Sequence, residues 1–216
     1  MTISPKLLKG GIVLIDPDTG IVRRIIALQY NPETLTRSFQ VQGVGGEGGD
    51  RSEAMRLKGP PVETIKLEAE LDAADQLEFP DQHQNVVESG LHTQLAALEI
   101  LVYPHSSQLA SNNRKAGSGS LEIIPMETPL TLFVWSSNRI LPMRLTEFSI
   151  TEEAFDPSLN PIRAKVSLGM RVLSVDDLGF NHKGGNLFMT YLQNKEQLAG
   201  KYQTAQFNAF GIEGIS

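Results

Sequence analysis

The sequence predicts a mainly β domain with one helix flanking its strands, two long loops and a short helix near the C-terminus. Between Ile65 and Leu71, apolar residues alternate with charged ones, which is the pattern of a strand with one packed and one wet face. The same alternation runs through residues 162–173 and predicts a central strand of fixed register. Residues 84–103 place apolar side chains three or four positions apart, which predicts an amphipathic helix.

Turn and breaker residues predict the boundaries of the other elements. Apolar runs on either side of DPDTG predict an opening β-hairpin, because Asp, Pro and Gly supply turn geometry. Pro60 and Pro61 fix where the strand containing Ile65 begins. Small and polar residues predict loops at 42–61 and 106–120. The other predicted elements are strands at 11–15, 21–29, 35–41, 130–135 and 143–150, a helix at 186–198 and a weakly patterned tail at 203–216.

Composition excludes several classes of protein. The chain has 216 residues, 40% of them hydrophobic, and a formal net charge of −6 with no cysteine. We therefore expect a folded soluble protein without disulfides, and no nucleic-acid partner, because there is no basic footprint. The apolar run Ile12 to Ile15 is too short for a signal sequence or a membrane span. We therefore expect the protein to be synthesised in the cytoplasm and not to insert directly into a membrane.

The residue types that can act in catalysis or bind a ligand form no recognisable motif. We therefore predict no catalytic, cofactor-binding or metal-binding residue and no enzyme activity. GVGGEGG at 43–49 lacks the helix and the lysine of a phosphate-binding loop. The four histidines lie on separate predicted elements. Glu152, Glu153 and Asp156 follow a predicted strand, where neighbouring carboxylates usually form a solvated corner. Ser118 lacks the spacing of a nucleophile elbow.

Five segments, in order, resemble the tube-domain family of contractile injection systems, which are phage-tail-like particles. Together they combine an Asn-Pro, a Pro-Pro followed by a strand, a helix, a strand ending in tryptophan, and a Phe-Asp-Pro followed by a long strand. The segments are QYNPETL at 29–35, GPPVETIKLEAELDA at 59–73, LHTQLAALEILVYP at 91–104, TPLTLFVW at 128–135 and LTEFSITEEAFDPSLNPIRAKVSLGMRV at 145–172.

The resemblance implies a tail-tube-like β-sandwich or barrel with one flanking helix and long inter-subunit loops. It implies a homo-hexameric ring that connects the inner tube to the spike, hub and baseplate proteins of the particle. The protein would assemble in the cytoplasm and then belong to a particle that is released or tethered at a membrane. The implied tube-like β domain covers residues 1–178, and a C-terminal helical extension covers 179–216.

Assembly would use the glycine-rich loop and its surroundings as a clasp for a neighbouring subunit. Trp135, the single tryptophan, is either an interface anchor or a residue at a core or half-buried strand position. The candidate interface residues are Gly43, Gly45, Gly46, Gly48, Gly49, Arg51, Pro60, Pro61 and Trp135.

The charged face of the two alternating strands would line or flank the lumen of the tube. This assignment combines the alternation of charged and apolar residues with the ring that the resemblance implies. The candidate lumen-facing residues are Lys66, Glu68, Glu70, Arg163, Lys165 and Arg171.

Three alternatives stay open at this stage. Adaptor members of the family commonly carry a C-terminal LysM module, and residues 179–216 are too short for one, so a ring at the tube end or the cap side is the first alternative. A β-rich phage baseplate protein of another architecture is the second. The third is a small β-barrel enzyme or ligand-binding domain, with the glycine-rich loop as a lid over Glu152, Glu153 or a histidine.

Overall fold

A computed structural model describes residues 7–43, 56–117, 128–202 and 207–214. Its described strands form one seven-stranded antiparallel sheet in the order β2-β1-β5-β6-β7-β4-β3, which confirms the mainly β fold class. The strands are β1 Gly11–Ile15, β2 Val22–Ala27, β3 Leu35–Gln40, β4 Val62–Asp72, β5 Leu130–Ser136, β6 Arg139–Phe155 and β7 Pro161–Val172.

The helices flank this sheet and vary greatly in length. Two short 3-10 segments lie at Pro80–Gln82 and Phe207–Phe210. The α-helices of the described residues are α1 Ala74–Leu77, α2 Gln84–Ser89, α3 His92–Glu99, α4 Ser106–Gly117, α5 Val175–Leu178 and α6 Lys183–Gly200.

The centre of the sheet is the β6–β7–β4 trio, and its register follows the sequence alternation. Ile65 pairs with Met170 and Leu67 with Leu168, and all four side chains are buried. β6 continues to Phe155, beyond the predicted end at residue 150. Its extra length pairs with β7 as far as Pro161, because antiparallel strands joined by a short turn extend together.

The opening hairpin forms where DPDTG predicted a turn. Asp16 Oδ1 accepts hydrogen bonds from the backbone N–H groups of Asp18 (3.2 Å) and Thr19 (3.0 Å). Gly20 has φ +72°, a conformation that glycine adopts without steric cost. Asp16 also forms an ion pair with Arg23, so the carboxylate holds both the turn and the first residues of β2.

The predicted single helix at 84–103 is wrong in one respect, because it is divided into α2 and α3. Gly90 ends α2 with φ +54°, and a Cβ there would collide with the carbonyl oxygen of Pro161. The chain must turn at this glycine to bring α3 against the sheet. The buried side chains Leu91, Leu95 and Leu98 then join the main core.

The predicted loop at 106–120 is also wrong over most of its length, because α4 occupies Ser106–Gly117. None of its residues is buried, so the helix stands on the surface. The segment SSQLASNN gave a loop prediction because Ser and Asn compete with the helix backbone for hydrogen bonds. Residues 118–120 lie outside the described part of the chain.

Helix α6 packs against β6 and completes the core. It begins three residues before the predicted start, at Lys183, where His182 Nδ1 accepts a hydrogen bond from the Gly184 N–H (3.0 Å). Phe188 and Tyr191 are buried in the same cluster as the strand residues. The predicted domain boundary after residue 178 stays a prediction, and the helix beyond it shares the core of the sheet.

Candidate assembly surfaces

The six candidate lumen residues lie together on the outer face of the sheet, opposite the buried core. Glu70 pairs in register with Lys165, and Glu68 with Ser167. Because side chains alternate along a strand, residues that are out of phase with Ile65 and Val166 point away from the core. The structure therefore brings the predicted charged side chains into one surface, called the outer face below. Its members are Lys66, Glu68, Glu70, Arg163, Lys165 and Arg171.

Ion pairs connect all four cations of the outer face to neighbouring carboxylates. Their N–O distances run from 2.7 to 3.1 Å, which is the range of charge-assisted hydrogen bonds. The outer face is thus a lattice of opposite charges. The pairs are Lys66–Glu147, Arg163–Asp72, Lys165–Glu153 and Arg171–Asp177.

Lys165 lies at the most acidic part of this lattice. The hydrogen bond and charge of Glu153 raise the pKa of Lys165, and Glu70 and Glu68 add to the effect. Glu68 and Glu70 also line a groove of about 240 Å³ beside the loop at 30–34. The outer face therefore has a local negative region around one lysine.

The residues on either side of the glycine-rich loop pair with each other where the loop begins and ends. Gly43 forms an antiparallel bridge with Leu57, and the Lys58 N–H donates to the Gln42 carbonyl oxygen at 2.8 Å. The loop therefore leaves and returns at one point beside β3 and β4. Four glycines and one arginine of the predicted interface lie outside the described residues: Gly45, Gly46, Gly48, Gly49 and Arg51.

Pro60 and Pro61 lie directly before β4, as predicted. The preceding Gly59 lies against α5, where an added Cβ would come within 2.6 Å of Asp176 Oδ2. A side chain at Gly59 would therefore displace the Asp176 carboxylate. The interface roles of Gly43, Pro60 and Pro61 stay predictions.

Trp135 is half-buried, which was one of its two predicted environments. Its ring stacks on Phe133 with centroids 5.7 Å apart and an interplanar angle of 22°. Gly10 lies on the same ring, so contacts within the chain cover part of the indole. The remaining surface faces a cleft next to α6, and an interface role for this tryptophan stays a prediction.

A buried charge cluster was missed from the sequence. Glu63, whose side chain is 4% exposed, accepts from Arg37 Nε at 2.8 Å and from Lys195 Nζ at 3.2 Å. The Tyr191 hydroxyl donates to Glu63 Oε1 at 3.1 Å and accepts from Arg37 Nη2 at 2.6 Å. Phe39 lies against both cations. The cluster joins β3, β4 and α6.

Burial shifts the titration of this cluster. Burial and the Glu63 carboxylate raise the pKa of Tyr191 to about 12. Burial lowers the pKa of Lys195, although the Glu63 carboxylate opposes that shift. Both effects have the same origin, since a charged form loses hydration when it is buried. The cluster holds the C-terminal helix on the sheet, and three of its members, Arg37, Tyr191 and Lys195, also line a cleft.

The carboxylates weighed for acid–base chemistry have other partners. Glu152 and Glu153 lie on β6 rather than in the predicted corner after a strand. Asp156 organises the next turn, because its Oδ1 accepts from the backbone N–H groups of Ser158 (2.7 Å) and Asn160 (2.8 Å). Hydrogen bonds from Asn160 lower the pKa of Asp156. Within the described ranges, no three His, Asp or Glu side chains converge to hold a metal ion.

Both edges of the sheet are open in the described part of the chain. No described strand pairs with the free side of β2 or of β3. Apolar side chains accompany these edges, with Ile25 on β2 68% exposed and Phe39 on β3 45% exposed. An open edge with exposed apolar residues is a template for pairing with another chain. Among the described helices, none combines the length and apolar character needed to cross a bilayer.

Comparisons with known proteins give structural likenesses only, among them two weak ones. No protein-family model matches the sequence, and no curated protein is significantly similar to it. A chain in the tail of an empty gene transfer agent particle, solved with C6 symmetry, is 12% identical at a TM-score of 0.30, covering 76% of this chain and 90% of that one. A chain in the virion of a native gene transfer agent particle is 13% identical at a TM-score of 0.27, covering 74% and 90%. TM-scores this low are not evidence of a shared fold.

Proposed function

We propose that the protein is a structural subunit of a phage-tail-like contractile injection particle, without catalytic activity. In this proposal it forms a homo-hexameric ring that connects the inner tube to the hub, spike and baseplate. The observation that carries the proposal is the outer face, a charged surface across β4 and β7 on a sheet with two open edges. The resemblance of five ordered sequence segments to the tube-domain family supplies the particle type.

The outer face has the properties that the wall of a channel needs. It carries charges of both signs, and pairs such as Lys66–Glu147 and Lys165–Glu153 neutralise one another locally. A surface of this kind stays hydrated and offers no apolar patch to a passing molecule. We therefore assign the outer face to the lumen.

The open edges have the properties that ring closure needs. Among the described residues no strand covers the free side of β2 or of β3, so their backbone N–H and C=O groups can pair with strands of adjacent copies. Ile25 and Phe39 add exposed apolar area at these edges. In the proposal, edge contacts close the ring, and the loop between Gly43 and Leu57 clasps the neighbouring subunit.

The partners follow from this role. The proposal names further copies of the chain, the inner tube protein, and the spike, hub and baseplate proteins, with no nucleic acid and no insertion into a membrane. Assembly takes place in the cytoplasm, and the finished ring belongs to an injection particle.

The test is the state of the purified chain in solution. We expect six-fold rings by negative-stain imaging and a hexamer mass by light scattering. A strict monomer at high concentration, both alone and with a tube-protein template, would contradict the ring.

An edge variant tests which surface closes the ring. Ile25→Lys places a charge on the exposed edge strand β2, which blocks strand pairing. We expect rings to disappear while the far-ultraviolet circular dichroism and melting temperature stay unchanged. Leu109→Lys on α4 is the matched control, since Leu109 is also exposed but belongs to a helix and not to an edge strand. Loss of rings in both variants, or in neither, would contradict a closure through β2.

A further inference from the structure

A cleft of about 340 Å³ lies between the β5–β6 turn and the last turns of α6. Its walls are partly aromatic and apolar, and its rim is cationic. A cleft with this combination suits a peptide that carries both an apolar side chain and a carboxylate. The residues on which the argument depends are Arg37, Trp135, Asn138, Arg139, Lys195 and Leu198.

The cations of the cleft are only partly neutralised. Arg37 and Lys195 share the single carboxylate of Glu63. Arg139 forms no ion pair with any residue that the structure describes. Three cations and one carboxylate leave a net positive charge beside the exposed face of Trp135. In an acidic protein, a cleft of this sign attracts the carboxylates of other copies.

The C-terminal tail has the complementary composition. All eight residues of 207–214 are exposed, and Phe207, Phe210 and Ile212 are 47%, 71% and 44% exposed. Glu213 is the only charged residue of this stretch. None of these residues lines the cleft in the chain itself. The tail therefore exposes apolar side chains and one carboxylate, and it does not occupy the cleft of its own chain.

We propose that the tail of one copy, residues 207–214, docks in the cleft of an adjacent copy. The Glu213 carboxylate pairs with the Arg139 guanidinium, and the tail's apolar side chains cover Trp135 and Leu198. A tail that enters a different surface of the next copy makes a head-to-tail contact, which closes into a ring or continues as a stack. This inference rests on the proposed function, because it needs adjacent copies.

Cysteine crosslinking tests the contact, and the chain contains no native cysteine to interfere. One preparation of the full chain carries Ser136→Cys at the cleft, and a second, with a size tag, carries Ile212→Cys in the tail. We expect mild oxidation of the mixture to give a disulfide-linked heterodimer. Asn113→Cys on α4, outside the cleft, replaces Ser136→Cys in the control and gives about tenfold less product, because crosslinking follows effective concentration.

A charge exchange identifies the ion pair. Arg139→Glu in the cleft copy reduces the crosslinked product about tenfold, because like charges then face each other. Glu213→Arg in the tail copy restores it. Recovery shows that the cleft variant is folded, and failure to recover overturns the Glu213–Arg139 pair.

The remaining outcomes separate this inference from the proposed function. Rings by light scattering without a crosslink above the control overturn the tail contact and leave the ring intact. A crosslink without rings supports the tail contact and contradicts the ring. A double variant, Ser136→Cys with Ile212→Cys, that closes within one monomer shows the chain's own tail in the cleft and overturns the exchange between copies. Absence of both crosslinks and rings overturns both proposals.

Discussion

Charged side chains are used in opposite ways on the two faces of the sheet. On the core side, Glu63 is 4% exposed and is shared by Arg37, Lys195 and the Tyr191 hydroxyl. On the outer face, Lys66 and Glu147 form a pair of similar length, 2.7 Å, with side chains 54% and 65% exposed. The geometry of the contacts is alike, and the surroundings differ.

The difference shows what each charge contributes. A buried carboxylate has lost its hydration, so each remaining partner is needed to stabilise it. The charges of an exposed ion pair are hydrated whether or not the pair forms, so the pair adds little to the free energy of unfolding. The Glu63 cluster therefore holds α6 on the sheet. The outer face contributes little to the fold and keeps its charges available for what lies next to it.

The largest effect is expected from Glu63→Gln. The amide keeps the shape of the side chain but leaves Arg37 and Lys195 without a counter-charge. Because both cations are partly exposed, water relieves part of the cost, and we expect a loss of about 2–3 kcal/mol in the free energy of unfolding. Urea denaturation followed by circular dichroism measures it.

The matched control for this substitution is Glu68→Gln, on the same strand but on the outer face. We expect a change of about 0.5 kcal/mol or less for the control. Equal losses in the two variants would show that the cluster is no more important to the fold than a surface charge.

The second effect concerns Tyr191, whose pKa is raised from 10.0 to about 12 in the folded chain. As pH rises above 10, the unfolded chain loses the phenolic proton first, so the tyrosine's contribution to stability is present below pH 10 and is lost towards pH 12. Tyr191→Phe removes this alkaline loss. At neutral pH it costs about 1–2 kcal/mol, because the hydrogen bond to Glu63 disappears.

Unfolding curves at several pH values between 9 and 12 test this prediction. Lys195 acts in the opposite direction, because its lowered pKa makes the unfolded chain bind more protons in that range. That contribution occurs in both proteins, so the difference between wild type and Tyr191→Phe isolates the phenol. Tyr202→Phe, at an exposed position, is the control. Parallel pH profiles for Tyr191→Phe and wild type would contradict the assignment.

Strand periodicity was sufficient to predict the outer face from the sequence. The two-residue alternation in β4 and β7 fixed which side chains share a face, because a register that slips by one residue reverses every side chain. The same alternation also indicated the buried charge cluster, but that indication was not used. Glu63 is in phase with Ile65 and Leu67, so a charge in the apolar phase of a strand indicated a buried carboxylate that needs partners.

Those partners could not be predicted from the sequence. Arg37 and Tyr191 are 154 residues apart along the chain, and only the docking of α6 brings them together. Local patterns also failed at the helix break, because the reason for the turn at Gly90 is the distant carbonyl group of Pro161. Contacts between residues far apart in the sequence determine both the charge cluster and the helix break. The local propensity of a residue contains no information about such contacts.

The smallest effect is expected from the Lys66–Glu147 pair of the outer face. A double-mutant cycle with Lys66→Ala and Glu147→Ala isolates the coupling between the two side chains. We expect about 0.5 kcal/mol or less, falling further in 1 M salt, because both side chains are exposed and the interaction is screened.

A coupling above about 1.5 kcal/mol would contradict this, since it would place the pair in the energetic class of the Glu63 cluster. The same variants separate folding from assembly. If the outer face lines the lumen, each single variant keeps the stability of the chain and still forms rings. The loss of a charge then appears only as a change in which charged molecules the ring binds or passes.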